Sequence, residues 1–178
     1  MGYGVEQGRS NFMHRASMKV RRSMYGRLVS LINFHPVNSV LDVGVTSDQS
    51  CPESNFFEQL YPYKEHITAL SDQDARWMEQ VYPGLRFVPG DGKNLPFEDA
   101  SFDLVFSSAV IEHVGSFEQQ ALFLKECYRV ARKFVFITTP NRWYPIEFHT
   151  LLPVIHMLPK KTHRKILNLL SRCIGAYK

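Results

Sequence analysis

The sequence has few of the features that mark secreted, membrane-spanning or metal-stabilised proteins. It contains three cysteines, Cys51, Cys127 and Cys173, an odd number scattered along 178 residues. Their spacing matches neither a disulfide framework nor a zinc site, so a reducing cytosol is the expected compartment. No apolar run approaches the roughly 20 residues of a membrane-spanning helix. The N-terminus lacks the apolar core of a secretory signal.

Glycine is scarce where a nicotinamide-dependent reductase would need it. After the first predicted strand Gly44 stands alone, whereas the dinucleotide fingerprint has three glycines in close succession. No internal repeat or low-complexity linker interrupts the chain. With 44% hydrophobic and 21% charged residues, the composition is that of a globular protein, and the length suits a single domain.

Charge is distributed unevenly along the chain. Residues 1–35 contain six Lys or Arg and one acid, and residues 148–178 contain six Lys or Arg and no acid. The segment between them has nine basic and sixteen acidic residues. The basic ends are either ordinary solvated surface or a patch for a polyanion, such as a membrane surface, a lipid-pyrophosphate-linked substrate or RNA. Charge alone leaves these alternatives open.

Hydrophobic periodicity predicts strands that alternate with helices. The first helix, over residues 10–33, has apolar residues at helical spacing: Phe12, Met13, Ala16, Val20, Met24, Leu28 and Leu31. Further helices are predicted over residues 53–61, 74–82, 117–131 and 161–174, and strands over residues 39–43, 67–70, 86–89, 102–107 and 133–139. Strands joined by single helices imply right-handed crossovers and an α/β fold with a parallel sheet. Ligands of such sheets bind beyond the carboxyl ends of the strands.

Three segments that include strand ends carry a family resemblance. Residues 39–45 read Ser-Val-Leu-Asp-Val-Gly-Val, residues 90–97 read Gly-Asp-Gly-Lys-Asn-Leu-Pro-Phe, and residues 101–114 read Ser-Phe-Asp-Leu-Val-Phe-Ser-Ser-Ala-Val-Ile-Glu-His-Val. Together they resemble class I S-adenosylmethionine-dependent methyltransferases, in particular the bacterial type-11 group. The resemblance covers about residues 36–150 and implies a Rossmann-like, mainly parallel sheet with flanking helices. Two C-terminal strands usual in that fold have no counterpart after the fifth predicted strand.

The resemblance also implies a site for S-adenosylmethionine along the strand ends. A carboxylate that follows the second strand suits the ribose, because its two oxygens can accept bonds from a vicinal diol. The implied contacts are Asp42, Gly44 and Thr46 at the methionine end, Asp72 at the ribose, Asp91, Gly92 and Lys93 at the adenine, and Ser107, Ser108 and Ala109 on the floor of the pocket.

The loop after Gly44 departs from the family pattern. Gly44 is expected to turn the chain tightly and bring backbone N–H groups up to the ligand. Thr46 and Asp48 then stand where further glycines are usual. The hydroxyls of Thr46 and Ser47 are expected to replace backbone contacts to the cofactor carboxylate. Asp48 would repel that carboxylate unless its side chain points outward.

Two histidines are candidates for a general base, which is needed when the methyl acceptor is a hydroxyl. His149 lies in an aromatic segment after the fifth predicted strand, and His113 follows the fourth. A structural role for His113, packing against the next helix, is the alternative. No metal is expected, because Ala109 stands where related quinone O-methyltransferases have a glutamate ligand.

The predicted function is methyl transfer from S-adenosylmethionine to a small, glycan or lipid-linked acceptor, at oxygen. The expected organisation is one domain over residues 1–178, with a basic N-terminal helix (1–35), a cofactor-binding core (36–141) and a substrate-side loop with a basic amphipathic helix (142–178). The protein is expected in the cytoplasm, with peripheral membrane contact through its basic ends as a further hypothesis. A homo-oligomer, or a partner that completes the sheet, is another.

Two other functions remain open. A degenerate methyltransferase-like binding or scaffold module would explain the altered glycine loop. An RNA methyltransferase would use the basic ends as phosphate contacts, but no recognised RNA module is present, so nucleic acid is not the expected partner.

Overall fold

The computed structural model describes residues 3–32, 37–50 and 53–139, with side chains from residue 14 onward. Within these ranges the strands are β1 Val40–Val43, β2 Ile67–Ser71, β3 Arg86–Pro89, β4 Phe102–Ser108 and β5 Ala131–Thr138. The α-helices there are α1 Tyr3–Ile32, α2 Phe56–Leu60, α3 Trp77–Val81 and α4 Phe117–Val130. None of the helices in the described part is long and apolar enough to span a bilayer. The helix predicted over residues 161–174 lies outside the described residues.

The five strands form one parallel sheet in the order β3-β2-β1-β4-β5. Val40 of β1 pairs with Ile67 of β2 on one side and with Leu104 of β4 on the other. The strand order therefore reverses between β1 and β4. A crevice forms beyond the carboxyl ends of the strands at such a reversal, and it is the usual ligand site of these sheets. The predicted α/β class and parallel sheet are confirmed.

The central strands are buried on both faces, which explains their nearly continuous apolar sequence. Consecutive side chains of β1 point to opposite faces of the sheet, so Val40 and Leu41 belong to different core clusters. On the Val40 face, the rings of Phe57 and Phe106 stack with centroids 4.4 Å apart. On the Leu41 face, α4 contributes Phe123. The two clusters fix β1 in the middle of the sheet.

Helix α1 exists as predicted, but it begins earlier and only part of the predicted apolar stripe, including Met24 and Leu28, meets the core. Val20 and Leu31, which the periodicity placed on the apolar face, are 45% and 63% exposed. Leu28 is fully buried, and Tyr25 and Ile32 pack partly against the same cluster. Apolar residues on this helix occupy more than one row, and only the row that meets the core is covered.

The chain between β3 and β4 is tied to α4 by one arginine. The Arg129 guanidinium donates to the backbone oxygens of Leu95 (3.0 Å) and Phe97 (2.8 Å) and to the Asp99 carboxylate (2.8 Å). It also pairs with Glu126, whose carboxylate accepts the Leu95 N–H at 2.9 Å. The hydrogen bonds from Arg129 lead the interactions that lower the pKa of Glu126. This network holds residues 95–99, which follow the turn at residues 90–92, against α4.

Replacing this arginine is expected to destabilise the fold. Arg129→Ala should lower the free energy of unfolding by about 2 kcal/mol, because several charge-assisted hydrogen bonds are lost at once. Lys125→Ala, which removes an exposed cation from the same helix, serves as the control and should change stability by less than about 0.5 kcal/mol. Urea denaturation of both variants measures the difference. Equal stability losses would contradict the assigned role of Arg129.

Candidate functional site

A cavity of about 430 Å³ opens beyond the carboxyl ends of β1 to β4, at the reversal of strand order. Its volume falls within the range of roughly 300–1,000 Å³ that is usual for ligand pockets. Each of these strands supplies lining residues from the loop that follows it, and Phe123 of α4 closes one side. The loop residues that line it include Gly44, Val45, Thr46, Asp72, Gln73, Gly90, Asp91, Gly92, Lys93, Ala109, Val110, His113 and Val114.

The predicted site residues fall into three groups in the structure. Eight of them line this cavity together: Gly44, Thr46, Asp72, Asp91, Gly92, Lys93, Ala109 and His113. Asp42, Ser107 and Ser108 lie at the same end of the sheet but are not among its lining residues. His149 lies outside the described residues. Which cofactor atom each residue contacts stays a prediction.

Two glycines allow the backbone to border the cavity closely. A Cβ on Gly44, where φ is +94°, would stand 2.4 Å from a methyl group of Val110. A Cβ on Gly92 would stand 2.7 Å from the Phe123 ring and 3.0 Å from a methyl group of Val43. Distances this short are steric clashes, so both positions need a residue without a side chain. Gly92 thereby keeps the Phe123 ring in its place against the cavity.

The loop after β1 is pinned by a buried asparagine that the sequence reasoning missed. The Asn55 side-chain oxygen accepts the Thr46 N–H at 3.1 Å, and its amide donates to the Thr46 carbonyl at 3.0 Å. The Gly44 N–H donates to the Leu70 carbonyl at 2.7 Å. These groups are therefore bonded within the protein, which corrects the expectation that Gly44 brings backbone N–H groups up to a ligand. Without further glycines the loop needs side-chain partners.

The next residues of this loop also bond within the protein. The Ser47 hydroxyl donates to the Gln73 side-chain oxygen at 3.0 Å. Asp48 is exposed, and its carboxylate accepts the Ser50 N–H at 2.8 Å. Hydrogen bonds with Ser50 lower the pKa of Asp48. Asp48 is not among the residues that line the cavity.

Two carboxylates stand on the cavity rim after neighbouring strands. Asp72 follows β2 and is exposed to solvent. Asp91 follows β3, and its Oδ1 accepts the Lys93 N–H at 2.9 Å and contacts the Lys93 ammonium at 3.1 Å. The backbone hydrogen bond from Lys93 leads the causes that lower the pKa of Asp91. Asp91 is therefore ionised at neutral pH and can accept hydrogen bonds from a ligand.

Behind the Gly44 loop lie two further carboxyl groups, of Asp42 and Glu58. Asp42 is 5% exposed and Glu58, on α2, is fully buried. Burial, together with the nearby Glu58 carboxyl, raises the pKa of Asp42 well above its usual range. The sequence reasoning missed Glu58. Glu58 directly follows Phe56 and Phe57 in α2, and all three residues are buried.

The serines at the end of β4 brace the sheet rather than line the large cavity. The buried Ser107 hydroxyl donates to the Val43 carbonyl at 2.8 Å, and the Ser108 hydroxyl accepts from Thr138 at 2.9 Å. Ala109 then adopts a φ of +57°, which is uncommon for a residue other than glycine. This conformation turns the chain so that it reaches the cavity at His113. Strain of this kind is concentrated at functional sites.

His113 lies in a 3₁₀ turn and is exposed at the cavity. The described residues contain no group of three or more His, Cys, Asp or Glu side chains placed to hold a metal ion.

Filling the space at Gly92 is expected to disturb the cavity. Gly92→Ala should weaken binding of S-adenosylhomocysteine about tenfold, because the added methyl group displaces the Phe123 ring. Gly26→Ala is the matched control, since a Cβ at that position meets no atom within 4 Å. Titration calorimetry of both variants measures the effect. Wild-type affinity in Gly92→Ala would show that the ring does not shape the binding site.

Stretches of this chain are similar to curated mycobacterial proteins. One of 63 residues is 41% identical to a probable S-adenosylmethionine-dependent methyltransferase of Mycolicibacterium smegmatis and covers 34% of this chain and 23% of that protein. Another of 50 residues is 46% identical to a probable phthiotriol/phenolphthiotriol dimycocerosates methyltransferase of Mycobacterium ulcerans and covers 28% and 18%. The match spans less than a quarter of the length of these relatives.

Two solved structures have a similar fold. The methyltransferase domain of bacterial CtHen1 superposes with a TM-score of 0.55 at 17% identity, over 84% of this chain and 83% of that one. The PH0226 protein of Pyrococcus horikoshii superposes with a TM-score of 0.51 at 21% identity, over 68% and 58%. At these identities the likeness concerns the fold.

The family comparison covers the part of the chain that builds the sheet and the cavity. The family model described as "Methyltransferase domain", type 11, matches residues 41–136. These residues make up more than half of the chain and run from β1 to β5. The chain therefore belongs to the type-11 family of S-adenosylmethionine-dependent methyltransferases.

Proposed function

We propose that this protein transfers the methyl group of S-adenosylmethionine to an acceptor held at the large cavity. The observation that carries the proposal is the meeting of Asp72 and Asp91, from the ends of neighbouring strands, on the rim of one cavity beside Gly92. Carboxylates in this arrangement suit a ligand with a vicinal diol at one point and an amino-substituted ring beyond it.

The residues present fit the cofactor. Asp72 would accept hydrogen bonds from the ribose hydroxyls, and Asp91 would accept one from the adenine amino group. Gly92 lets the Phe123 ring stand against the cavity where the adenine is proposed to lie, because a Cβ at that position would be 2.7 Å from the ring. The hydroxyl of Thr46, which accepts the Asp48 N–H at 3.1 Å, keeps its own proton to donate to the cofactor carboxylate.

S-adenosylmethionine supplies a methyl group that its sulfonium has already activated. The tasks left to this chain are alignment, exclusion of water and removal of a proton from the acceptor. Val110, Val114 and Phe123 give the cavity an apolar wall that excludes water. His113 stands on the same cavity and would accept the proton of a hydroxyl acceptor. His149 remains a second proposed base on the strength of its place in the sequence.

The proposed acceptor is a glycan or lipid-linked hydroxyl compound, methylated at oxygen. Similarity to proteins named phthiotriol/phenolphthiotriol dimycocerosates methyltransferases supports a lipid acceptor. The basic ends of the sequence support a substrate with an anionic head group or a membrane surface. A cytoplasmic protein that contacts the membrane peripherally, as one domain alone or with a partner, is part of this proposal.

A second candidate is a binding or scaffold module of the same fold that no longer transfers methyl groups. The observation that favours it is the bonding of the Gly44, Thr46 and Ser47 N–H groups within the protein. A loop that offers few donors to a ligand would hold the methionine end weakly. Direct measurement of cofactor binding separates the two candidates.

Asp91→Asn is expected to weaken the binding of S-adenosylmethionine and S-adenosylhomocysteine at least about tenfold, because a charged acceptor is lost. Asp74→Asn is the matched control: Asp74 is exposed, pairs with Arg76 at 3.0 Å and does not line the cavity. Calorimetric titration of the wild type and both variants tests this. A folded wild-type protein that binds neither ligand would refute the methyltransferase proposal in favour of the scaffold candidate.

His113→Ala is expected to lower the rate of methyl transfer to a hydroxyl acceptor about a hundredfold, because a base contributes to the chemical step. Its affinity for S-adenosylhomocysteine should stay unchanged. His66→Ala, which removes a histidine stacked on Tyr63 away from the cavity, is the control. The assay follows transfer of labelled methyl to a lipid-linked sugar and to the free sugar. An unchanged rate in His113→Ala would exclude His113 as the base.

A further inference from the structure

A second, much smaller cavity lies behind the Gly44 loop. Its volume is about 20 Å³, enough for about one water molecule. It lies between the end of β1 and α2, and its polar lining includes Asp42, Glu58 and Asn55. Gly44 and Val45 line both this cavity and the large one. The backbone at these two residues thus separates the two spaces.

Two carboxyl groups, of Asp42 and Glu58, border the small cavity, and both residues are buried. Neither oxygen of Glu58, which is fully buried, has an N–H or O–H donor partner among the described residues. The Asp42 carboxyl interacts with that of Glu58, which also interacts with the Lys64 ammonium. Two ionised carboxylates offer only acceptors, so their contact becomes a hydrogen bond only when one of them holds a proton. Two negative charges this deeply buried would also repel each other strongly.

Further charged and titratable groups lie in this region, on α1, at the end of α3 and in the turn after α2. Lys64, in the turn after α2, directs its ammonium to the backbone carbonyls of Glu58 and Tyr61. From α1, the Arg21 guanidinium lies 5.7 Å from the centre of the Phe56 ring. Tyr82, at the end of α3, also lies near Glu58. Burial is the leading cause that raises the pKa of both carboxyl groups, and for Glu58 it outweighs the opposing effect of the Lys64 ammonium.

We propose that Glu58 is a positioning residue that shares one proton with Asp42, and that binding of the cofactor's amino-acid end expels this proton to solvent. The inference rests on the proposed function. The shared proton leaves one negative charge beneath Gly44 and Val45, next to the place predicted for the methionine end. The α-ammonium group of the cofactor favours a more negative pair, so the O–H bond breaks and the proton passes to water or buffer.

The affinity for the cofactor is expected to depend on pH, because binding is linked to the release of a proton. A bound cation lowers the pKa of the pair, so the complex holds fewer protons than the free protein. Affinity for the cofactor therefore rises with pH across the titration of the pair, by at most about one decade per pH unit for each proton. The affinity of a ligand without an ammonium group does not rise when the pair loses its proton. The cofactor analogue 5′-methylthioadenosine, which lacks the amino-acid end, is such a ligand.

The test is calorimetric measurement of the binding of S-adenosylhomocysteine and of 5′-methylthioadenosine between about pH 5.5 and about pH 8. This pH range lies above the ordinary pKa of a free aspartate. Two buffers with different ionisation enthalpies measure the protons released. S-adenosylhomocysteine is expected to bind roughly tenfold more tightly at the upper end of the range and to release a proton. The affinity of 5′-methylthioadenosine should stay constant.

Variants assign the effect to the pair. Glu58→Gln removes the partner charge and should reduce the pH effect for S-adenosylhomocysteine to less than about threefold. Glu58→Asp keeps a carboxyl group and should retain the larger effect. Glu98→Gln, at an exposed position that does not line either cavity, should behave as the wild type.

The outcomes separate this inference from the proposed function. If both ligands bind with the same flat pH profile, the inference is overturned and the methyltransferase proposal stands. If neither ligand binds to the folded wild type, both are overturned. An unaltered pH effect in Glu58→Gln would remove Glu58 from the mechanism. If Glu58→Gln does not fold, the wild type and Glu58→Asp decide the question. The proposal is supported if both release a proton on binding S-adenosylhomocysteine and the wild type releases none on binding 5′-methylthioadenosine. It is overturned if the wild type releases no proton with S-adenosylhomocysteine.

Discussion

The pairing of β1 with β4 is the constraint on which the rest of the structure depends. The Leu104 N–H donates to the Ser39 carbonyl at 3.1 Å, and the Ser107 hydroxyl donates to the Val43 carbonyl at the other end of β1. Because both strands are buried on both faces, this register cannot slip without exposing core residues. It places the strand order reversal, and with it the large cavity, beside the loop that begins at Gly44.

The loop that begins at Gly44 is held by side-chain hydrogen bonds at positions where the family usually has glycines. Where further glycines would leave the backbone open toward a ligand, Asn55 clamps Thr46 at both its N–H and its carbonyl. The arrangement satisfies the Thr46 N–H and carbonyl within the protein, and the buried side chains of Asp42 and Glu58 lie behind this loop.

Prediction from the sequence worked best where a pattern is local. Strand β3 was predicted with its observed bounds, Arg86–Pro89, and α4 to within one residue at its C-terminus. Prediction was wrong for the exposed Val20 and Leu31 on α1, since periodicity gives the rows of a helix but not the row that meets the core. The family resemblance indicated residues at the strand ends, and eight of them line one cavity in the structure. It did not indicate any residue of α2.

The sequence by itself determined the alternation of strands and helices and the residues that follow each strand, because these depend on the repeat of the backbone and on turn-forming residues nearby. The tertiary structure decided the strand order, the contact between Asn55 and Thr46, and the meeting of Asp42 with Glu58. The last two of these features depend on how α2 and the residue before it approach the end of β1. Only that packing removes water from both carboxyl groups, and it is the loss of water that changes their chemistry.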